Sequence, residues 1–165
     1  MSLSGHLRNF SSDHGFRANA VGGTDDEKAF ALAQLGRPGL ELSEWRKMVT
    51  WRKRTPSDES LWVAIEDRRS YIHALMYCYL AYSPSRDKTL RVTDMITAEL
   101  PGPPVVSTAV ACATYLARQV GATVVEFDLE GGTSEVLLTE IEKQFQSGGW
   151  SSAAKQIICF RRLLH

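Results

Sequence analysis

The stretch TLRVTDMITAELPGPPVVSTAVACATYLARQVGATVVEFDLE, from Thr89 to Glu130, carries the pattern that decides the fold. A strand is predicted up to Thr97, with one face formed by the alternate residues Leu90, Val92, Asp94 and Ile96. A turn rich in proline and glycine follows at 100–104. Apolar and small residues then recur at helical spacing from Val105 to Val120, and a second strand is predicted at 123–127. The stretch therefore predicts the order strand, elbow, helix, strand.

The chain before this stretch predicts two helices and then strands. Residues 1–24 are rich in Ser, Gly, Asn and His, and they predict a loosely ordered arm. Helical spacing and end signals then predict two helices, at 24–35 and 43–54. Alternating and aromatic-rich segments at 61–65 and 71–82 predict two strands that form an antiparallel meander with the strand at 90–97.

After the stretch, the predicted elements are one more helix and one more strand. Leu138, Ile141 and Phe145 share a helical face, which predicts a helix at 134–145. The last strand is predicted at about 154–163. No internal repeat interrupts this order, so we expect a single α/β (α+β) domain over residues 25–165.

Composition narrows the class of protein. The 165 residues suffice for one domain with a sizeable core. The 19 basic and 19 acidic residues balance, so no net field attracts nucleic acid or an anionic membrane. Cys78, Cys112 and Cys159 show no CxxC spacing, which disfavours a disulfide framework and a metal site. Without a signal peptide or an apolar run of spanning length, we expect a cytoplasmic protein that uses no metal.

The predicted order resembles the GNAT N-acetyltransferase superfamily over about residues 25–163. The resemblance implies a mixed sheet in which an antiparallel meander is followed by helix, strand, helix and strand, with two helices at the N-terminus. It also implies acetyl-CoA, or a related acyl-CoA, as co-substrate. The acyl-CoA would contact a strand end and the start of the following helix, whose N–H groups suit a pyrophosphate. The residues at those positions are Met95, Ile96, Thr97, Val105, Val106, Ser107 and Thr108.

The elbow departs from the family pattern and is degenerate as a pyrophosphate loop. The family's loop carries Arg or Gln followed by glycines, whereas Pro103 and Pro104 have no N–H to donate. No Arg or Lys lies between Arg91 and Arg118. Many family members also place a Tyr that protonates the leaving thiolate near the end of the next helix, where this chain has Phe145.

Three residues are candidate general bases for the acceptor amine. Alternation predicts that Asp94 shares a strand face with apolar neighbours, a setting that suits proton transfer. Glu99 stands just before the elbow. His73 lies in the central strand, and histidine is a side chain that can accept a proton near neutral pH. The alternatives are a solvated strand-end carboxylate and a packed strand histidine. Tyr77 and Tyr79, predicted on the face of His73, are candidate acids, with core packing as the alternative.

The sequence therefore predicts an N-acyltransferase that moves an acyl group from acyl-CoA to an amine on a small molecule or a protein. A non-catalytic GNAT-like module that binds a ligand or a partner chain is the alternative. A nucleic-acid binder built on the helix at 43–54 is disfavoured. Tryptophans on the inner face and basic residues on the outer face are typical of an ordinary amphipathic helix. We expect no nucleic-acid or membrane partner, and a homodimer remains open.

Overall fold

The computed structural model describes residues 2–22, 26–54, 59–82, 88–98, 104–129, 139–141, 143 and 157–161. Their elements, in chain order, are α1 (Leu3–Leu7), β1 (Arg17–Ala20), α2 (Asp26–Gly36), α3 (Leu42–Arg54), β2 (Ser60–Glu66), β3 (Ile72–Tyr82), β4 (Lys88–Thr97), α4 (Val105–Gln119), β5 (Val124–Leu129) and β6 (Ile157–Arg161). Residues 139–141 and 143 are helical, within the helix predicted at 134–145.

The strands form one six-stranded mixed sheet in the order β1-β2-β3-β4-β5-β6. Strands β1 to β4 pair antiparallel, whereas β5 is parallel to both β4 and β6. The predicted meander corresponds to β2, β3 and β4. The α/β fold class with a mixed sheet and two helices ahead of the meander is therefore confirmed.

The first twenty residues differ from the loosely ordered arm that composition predicted. They form α1 and β1, and β1 pairs along β2 from Arg17↔Glu66 to Ala20↔Val63. Leu3 and Leu7 are buried because residues four apart share one face of a helix. Ser2 caps α1 by accepting the Gly5 N–H at 3.2 Å. These few apolar residues are enough to add a strand and a helix to the fold.

Helix α4 packs on the sheet through small side chains. Ala109, Ala113 and Ala117 are buried, and α4 contacts β3, β4 and β5. Gly121 ends the helix as predicted: it adopts φ 68°, which glycine tolerates, and Ala122 N–H then donates to the Ala117 carbonyl at 2.8 Å. The close packing places the start of α4 near the end of β4.

The sheet separates two cores. Helices α1 and α4 cover one side, called here the α4 face, and helices α2 and α3 cover the other, called the α2–α3 face. The α4 face is filled by apolar side chains from all the covered strands, among them Val63, Met76, Leu90, Val92 and Phe127. The α2–α3 face buries Trp45, Val49, Trp62 and Leu75. Trp45 and Val49 are inward on α3, as the amphipathic pattern predicted.

Two β-bulges change which residues share a face. In β3 the register with β2 shifts between Ile65 and Glu66, so His73 is the extra residue, and its ring contacts Phe16 on the α4 face. Tyr77 instead contacts Trp62 on the α2–α3 face. The prediction that His73 and Tyr77 share a face is therefore wrong, because strict alternation does not anticipate an inserted residue.

The second bulge lies in β4. Leu75 pairs with Ile96 but Tyr77 pairs with Thr93, so two residues, Asp94 and Met95, stand opposite Met76. After the bulge, Met95 joins the α4-face core and Ile96 packs on the α2–α3 face. The predicted common face of Leu90, Val92, Asp94 and Ile96 is therefore wrong, for the same physical reason.

Candidate functional site

The candidate site is a split in the sheet between β4 and β5. Their parallel pairing runs from Thr89↔Val124 to Thr93↔Asp128 and then stops, although β4 continues to Thr97. Beyond that point β5 continues to pair with β6, as far as Leu129. The two strands therefore part just after Thr93 and Asp128, at the position of the β4 bulge.

The separation leaves backbone groups of β4 without a strand partner. Ala98 N–H donates to the His73 carbonyl at 2.9 Å, so Ala98 faces β3. Peptide groups of successive residues in a strand point to opposite edges. The N–H and C=O of Thr97 therefore point into the split, where no strand of the described residues pairs with them. This edge can bind an extended ligand that carries amide groups.

The start of α4 supplies further donors. Pro104 is the N-cap, and its carbonyl accepts from Thr108 N–H at 3.0 Å and from the Ser107 hydroxyl at 2.8 Å. The N–H groups of Val105, Val106 and Ser107 precede the first helical hydrogen bond, so they remain at the positive end of the helix dipole. The amide of Thr108, which the sequence placed with these donors, is committed to the helix, and its side chain is buried.

The predicted cofactor-binding residues lie at the end of β4 and in the first turn of α4. Their side chains point in different directions: Met95 and Val105 are buried in the α4-face core, whereas Ile96 packs against α2. A ligand in the split would therefore meet peptide groups here.

Asp94 lies directly at the split and adopts a left-handed backbone conformation, with φ 53°. Non-glycine residues in that region are uncommon and concentrate at functional sites. Its carboxylate forms an ion pair with Arg37, which follows α2. The side chain of Asp94 is 10% exposed and that of Arg37 is 43% exposed. Arg37 thus covers the carboxylate from the solvent side, and it would have to move before Oδ1 could accept a proton.

His73 is held away from the α2–α3 face. Its Nε2 lies 3.1 Å from Oδ2 of Asp67, and its Nδ1 is buried with no hydrogen-bond partner among the described residues. The pKa of Asp67 lies below its ordinary value, chiefly because its carboxylate accepts the Tyr71 N–H and also because it bonds to His73. The arrangement favours a structural role for His73 in the turn between β2 and β3.

The predictions for Glu99, for Pro103 in the elbow and for Phe145 lie outside the described residues.

A row of side chains crosses the α2–α3 face beside the split, and the sequence singled out Tyr79 in this row but not Arg91. Tyr79 pairs with Arg91 across β3 and β4, and Arg91 pairs with Glu126 across β4 and β5. Nε of Arg91 donates to Oε2 of Glu126 at 2.8 Å. A hydrogen bond to Tyr79 and the charge of Glu126 raise the pKa of the Arg91 guanidinium. In the sequence, Arg91 and Glu126 are recognisable only as charged residues that interrupt otherwise apolar strands.

Aromatic rings continue this row under the helices. Ring centroids lie 5.1 Å apart for Trp45 and Trp62, 5.4 Å for Trp62 and Tyr77, and 5.7 Å for Tyr77 and Tyr79. Tyr77 and Tyr79 therefore belong to a packed aromatic cluster. Tyr79 is the member at the polar end, next to Arg91.

Other classes of site have less support in the described residues. Cys78 and Cys112 are buried; burial raises the pKa of Cys78 to about 12 and that of Cys112 well above its ordinary value, so neither thiol is a ready nucleophile. Within the same residues, no group of three or more His, Cys, Asp and Glu side chains could hold a metal ion. No helix in the described part is long and apolar enough to cross a bilayer.

No protein-family model matches the chain, and no curated protein matches it either. Solved structures do match. Glucosamine-6-phosphate N-acetyltransferase from Arabidopsis thaliana superposes with a TM-score of 0.61 at 18% identity, over 88% of this chain and 97% of that one. Aminoglycoside N-acetyltransferase AAC(6')-Iy, in complex with CoA, gives 0.61 at 12% identity, over 94% and 99%. A GNAT family acetyltransferase from Staphylococcus aureus gives 0.58 at 14% identity, over 72% and 88%.

At these identities the likeness is one of fold. It covers most of each chain. The chain therefore has the fold of the GNAT N-acetyltransferase superfamily.

Proposed function

We propose that the protein is an N-acyltransferase that moves an acetyl or related acyl group from acyl-CoA to an amine. The observation that carries the proposal is the split between β4 and β5, together with the N–H groups at the start of α4, which no hydrogen bond of the helix itself uses. The acetyltransferases named above share this fold, and one of them was solved with CoA.

The residues at the split fit the chemical groups of an acyl-CoA. The N–H groups of Val105, Val106 and Ser107 suit a pyrophosphate, and the open peptide groups of Thr97 suit the amides of the pantetheine arm. No Lys or Arg stands between Arg91 and Arg118 to add a charged contact. Each missing charge-assisted hydrogen bond weakens binding by about tenfold to a hundredfold. We therefore expect acetyl-CoA to bind with micromolar or weaker affinity.

In this reaction the thioester supplies an activated acyl carbon. The amine nitrogen bonds to that carbon, the carbon–sulfur bond breaks, and CoA leaves as a thiolate that finally takes up the proton lost by the amine. The proton lost by the amine goes to a base, which we assign to Asp94, with Arg37 as its positioning residue. Asp128, the last residue of β5 that pairs with β4, is the second carboxylate at the split.

A non-catalytic binding module is the competing function. It is favoured by the contacts of the two predicted bases within the described residues, because Arg37 engages Asp94 and Asp67 engages His73. Release of CoA thiol in the presence of acetyl-CoA and a panel of amines separates the two functions. Binding of acetyl-CoA without any such release would favour the module.

Ser107→Glu tests the phosphate end of the site. A carboxylate in the first turn of α4 should repel a pyrophosphate and compete for its N–H donors, so calorimetric binding of acetyl-CoA should be lost. The favourable helix-dipole interaction, about 0.3–1 kcal/mol, opposes the loss of the Ser107 hydrogen bond to Pro104, so unfolding free energy should change little.

Ser107→Gln is the matched control, because it removes the same hydroxyl and adds similar bulk without charge. It should retain most of the binding. At ligand about a hundredfold above the dissociation constant, bound acetyl-CoA should stabilise wild type and Ser107→Gln by about 2.7 kcal/mol. Equal binding by Ser107→Glu and Ser107→Gln would contradict the assignment of the phosphate site.

A further inference from the structure

The ion pair between Arg91 and Glu126 is built differently from a surface ion pair. The Glu126 side chain is 11% exposed, whereas the Arg91 side chain is 40% exposed. In the pair formed by Arg46 and Glu27, at 2.9 Å, both partners are open, at 55% and 70%. The nearly buried Glu126 carboxylate thus holds the Arg91 side chain in place, while part of Arg91 stays exposed to solvent.

The anchoring prepares Arg91 to bind a second anion. A guanidinium has five N–H donors in a rigid fork, and Nε is taken by Glu126. Tyr79 is the cross-strand neighbour of Arg91 on β3. Among the described residues these contacts leave Nη donors available on the exposed side. Because Glu126 and Tyr79 already restrict the side chain, little further rotamer freedom is lost when a ligand binds.

The separation between Arg91 and the split determines how long a ligand must be to contact both. Arg91 and Glu126 form one pair of the β4–β5 ladder, and Thr93 and Asp128 form the last pair, two residues further along. Two residues of a strand span roughly 7 Å. Residues two apart point to the same face, so Arg91 and Asp128 both belong to the α2–α3 face. The backbone positions of Arg91 and Asp128 thus lie on neighbouring strands, two residues apart along the strand direction, and both face the same side of the sheet.

We infer that the acceptor is an amine that also carries an anionic group, a carboxylate or a phosphate, and that Arg91 binds this anion. The inference rests on the proposed N-acyltransferase function and names its substrate class. Asp128 holds the ammonium end at the split, where the acyl group is transferred. Arg91 is therefore a specificity-determining residue.

Matched pairs of amines test the inference. CoA thiol release is measured with 4-aminobutyrate against butylamine and with O-phosphoethanolamine against ethanolamine. Wild type should show a kcat/KM about tenfold to a hundredfold higher for the anionic member of at least one pair. A preference for 4-aminobutyrate would indicate that Arg91 binds a carboxylate, and a preference for O-phosphoethanolamine would indicate that it binds a phosphate. Equal values within both pairs would overturn the inference.

The decisive variant is Arg91→Gln combined with Glu126→Gln. Arg91→Gln alone would leave a buried carboxylate without its partner and could fail to fold. The double variant should raise KM for the anionic amine, retain kcat, and lose the preference. Arg46→Gln, which breaks the open pair with Glu27, should keep it. A preference that survives in the double variant would overturn the role of Arg91.

Failure of the proposed function can be told apart from failure of this inference. If wild type releases no CoA with any amine, calorimetric titration with 4-aminobutyrate and with O-phosphoethanolamine still tests the anion site. Binding by wild type that the double variant loses would support the site while the transferase function fails. No binding by wild type, or equal binding by the double variant, would overturn the inference by itself.

Discussion

The two faces of the sheet use the same strands for different purposes. On the α4 face, successive strands place apolar side chains against the small residues of α4, and the few polar side chains there include His73, Thr108 and Thr114. On the α2–α3 face, an aromatic cluster under the helices gives way to ion pairs toward β4 and β5. One face therefore provides stability, and the border of the other provides charged groups beside the split. This contrast predicts that variants on the two faces affect different measurements.

The largest expected effect is on turnover and comes from the α2–α3 side. Asp94→Asn should lower kcat by about a hundredfold to ten-thousandfold, because it removes the proposed base. Asparagine tolerates positive φ well, so the bulge should persist and the variant should test chemistry. Acetyl-CoA binding, measured by calorimetry, should stay near that of wild type, since the expected contacts are backbone groups.

Asp128→Asn and Arg37→Gln sharpen this result. If Asp94 is the base and Arg37 positions it, Arg37→Gln should lower kcat less than Asp94→Asn does. Both variants should change the dependence of kcat on pH. Asp128→Asn should act mainly through KM of the amine. Unchanged turnover in Asp94→Asn would reject the assignment and direct attention to Asp128, Glu99 and His73.

The next effect is on stability and comes from the α4 face. Phe127 is fully buried in that core, and Phe127→Ala should lower the free energy of unfolding by about 3–5 kcal/mol through lost burial and a residual cavity. Chemical denaturation measures the change. Leu35→Ala is the control, because Leu35 is the most exposed of the large apolar side chains described, and it should change stability by less than about 0.5 kcal/mol. Similar losses in both variants would contradict the division between the faces.

Sequence periodicity was sufficient for most elements of the fold. It predicted α2, α3, α4 and the strands β2 to β6 within a few residues, because each has a long apolar pattern or clear end signals. It missed α1 and β1, whose apolar residues are few and separated by polar ones. It also missed both bulges, because strict alternation was assumed along each strand, whereas an inserted residue reverses the faces of all residues that follow it.

The candidate site was predictable only in part. The elbow and helix pattern located the start of α4, since helix starts have recognisable signals. The contacts of Asp94 and Arg91 depend on long-range packing: Arg37 reaches Asp94 from α2, and Glu126 meets Arg91 only because β5 lies parallel to β4 in one register. A single sequence shows that Arg91 and Glu126 interrupt apolar strands, but it does not show that these strands are neighbours.

The smallest expected effect concerns how α2 approaches β4, where the α2–α3 face meets the split. A Cβ at Gly36 would lie 2.7 Å from Cγ1 and 2.8 Å from Cδ1 of Ile96. In a helix, Gly→Ala normally stabilises by about 1 kcal/mol, whereas overpacking costs about 1–3 kcal/mol. Gly36→Ala should therefore lower the free energy of unfolding by up to about 2 kcal/mol.

The sign of the Gly36→Ala effect should depend on Ile96. In an Ile96→Ala background the contacting atoms are gone, so adding the methyl group at Gly36 should become stabilising by up to about 1 kcal/mol. Gly5→Ala in α1 is the matched control, because the nearest described atom to its added Cβ would be Oγ of Ser2, at 3.5 Å, and it should stabilise without any second change. A double-mutant cycle of denaturant midpoints measures the coupling. Were Gly36→Ala to stabilise the wild-type background as Gly5→Ala does, α2 would not be held against β4 closely enough to set the position of Arg37 over Asp94.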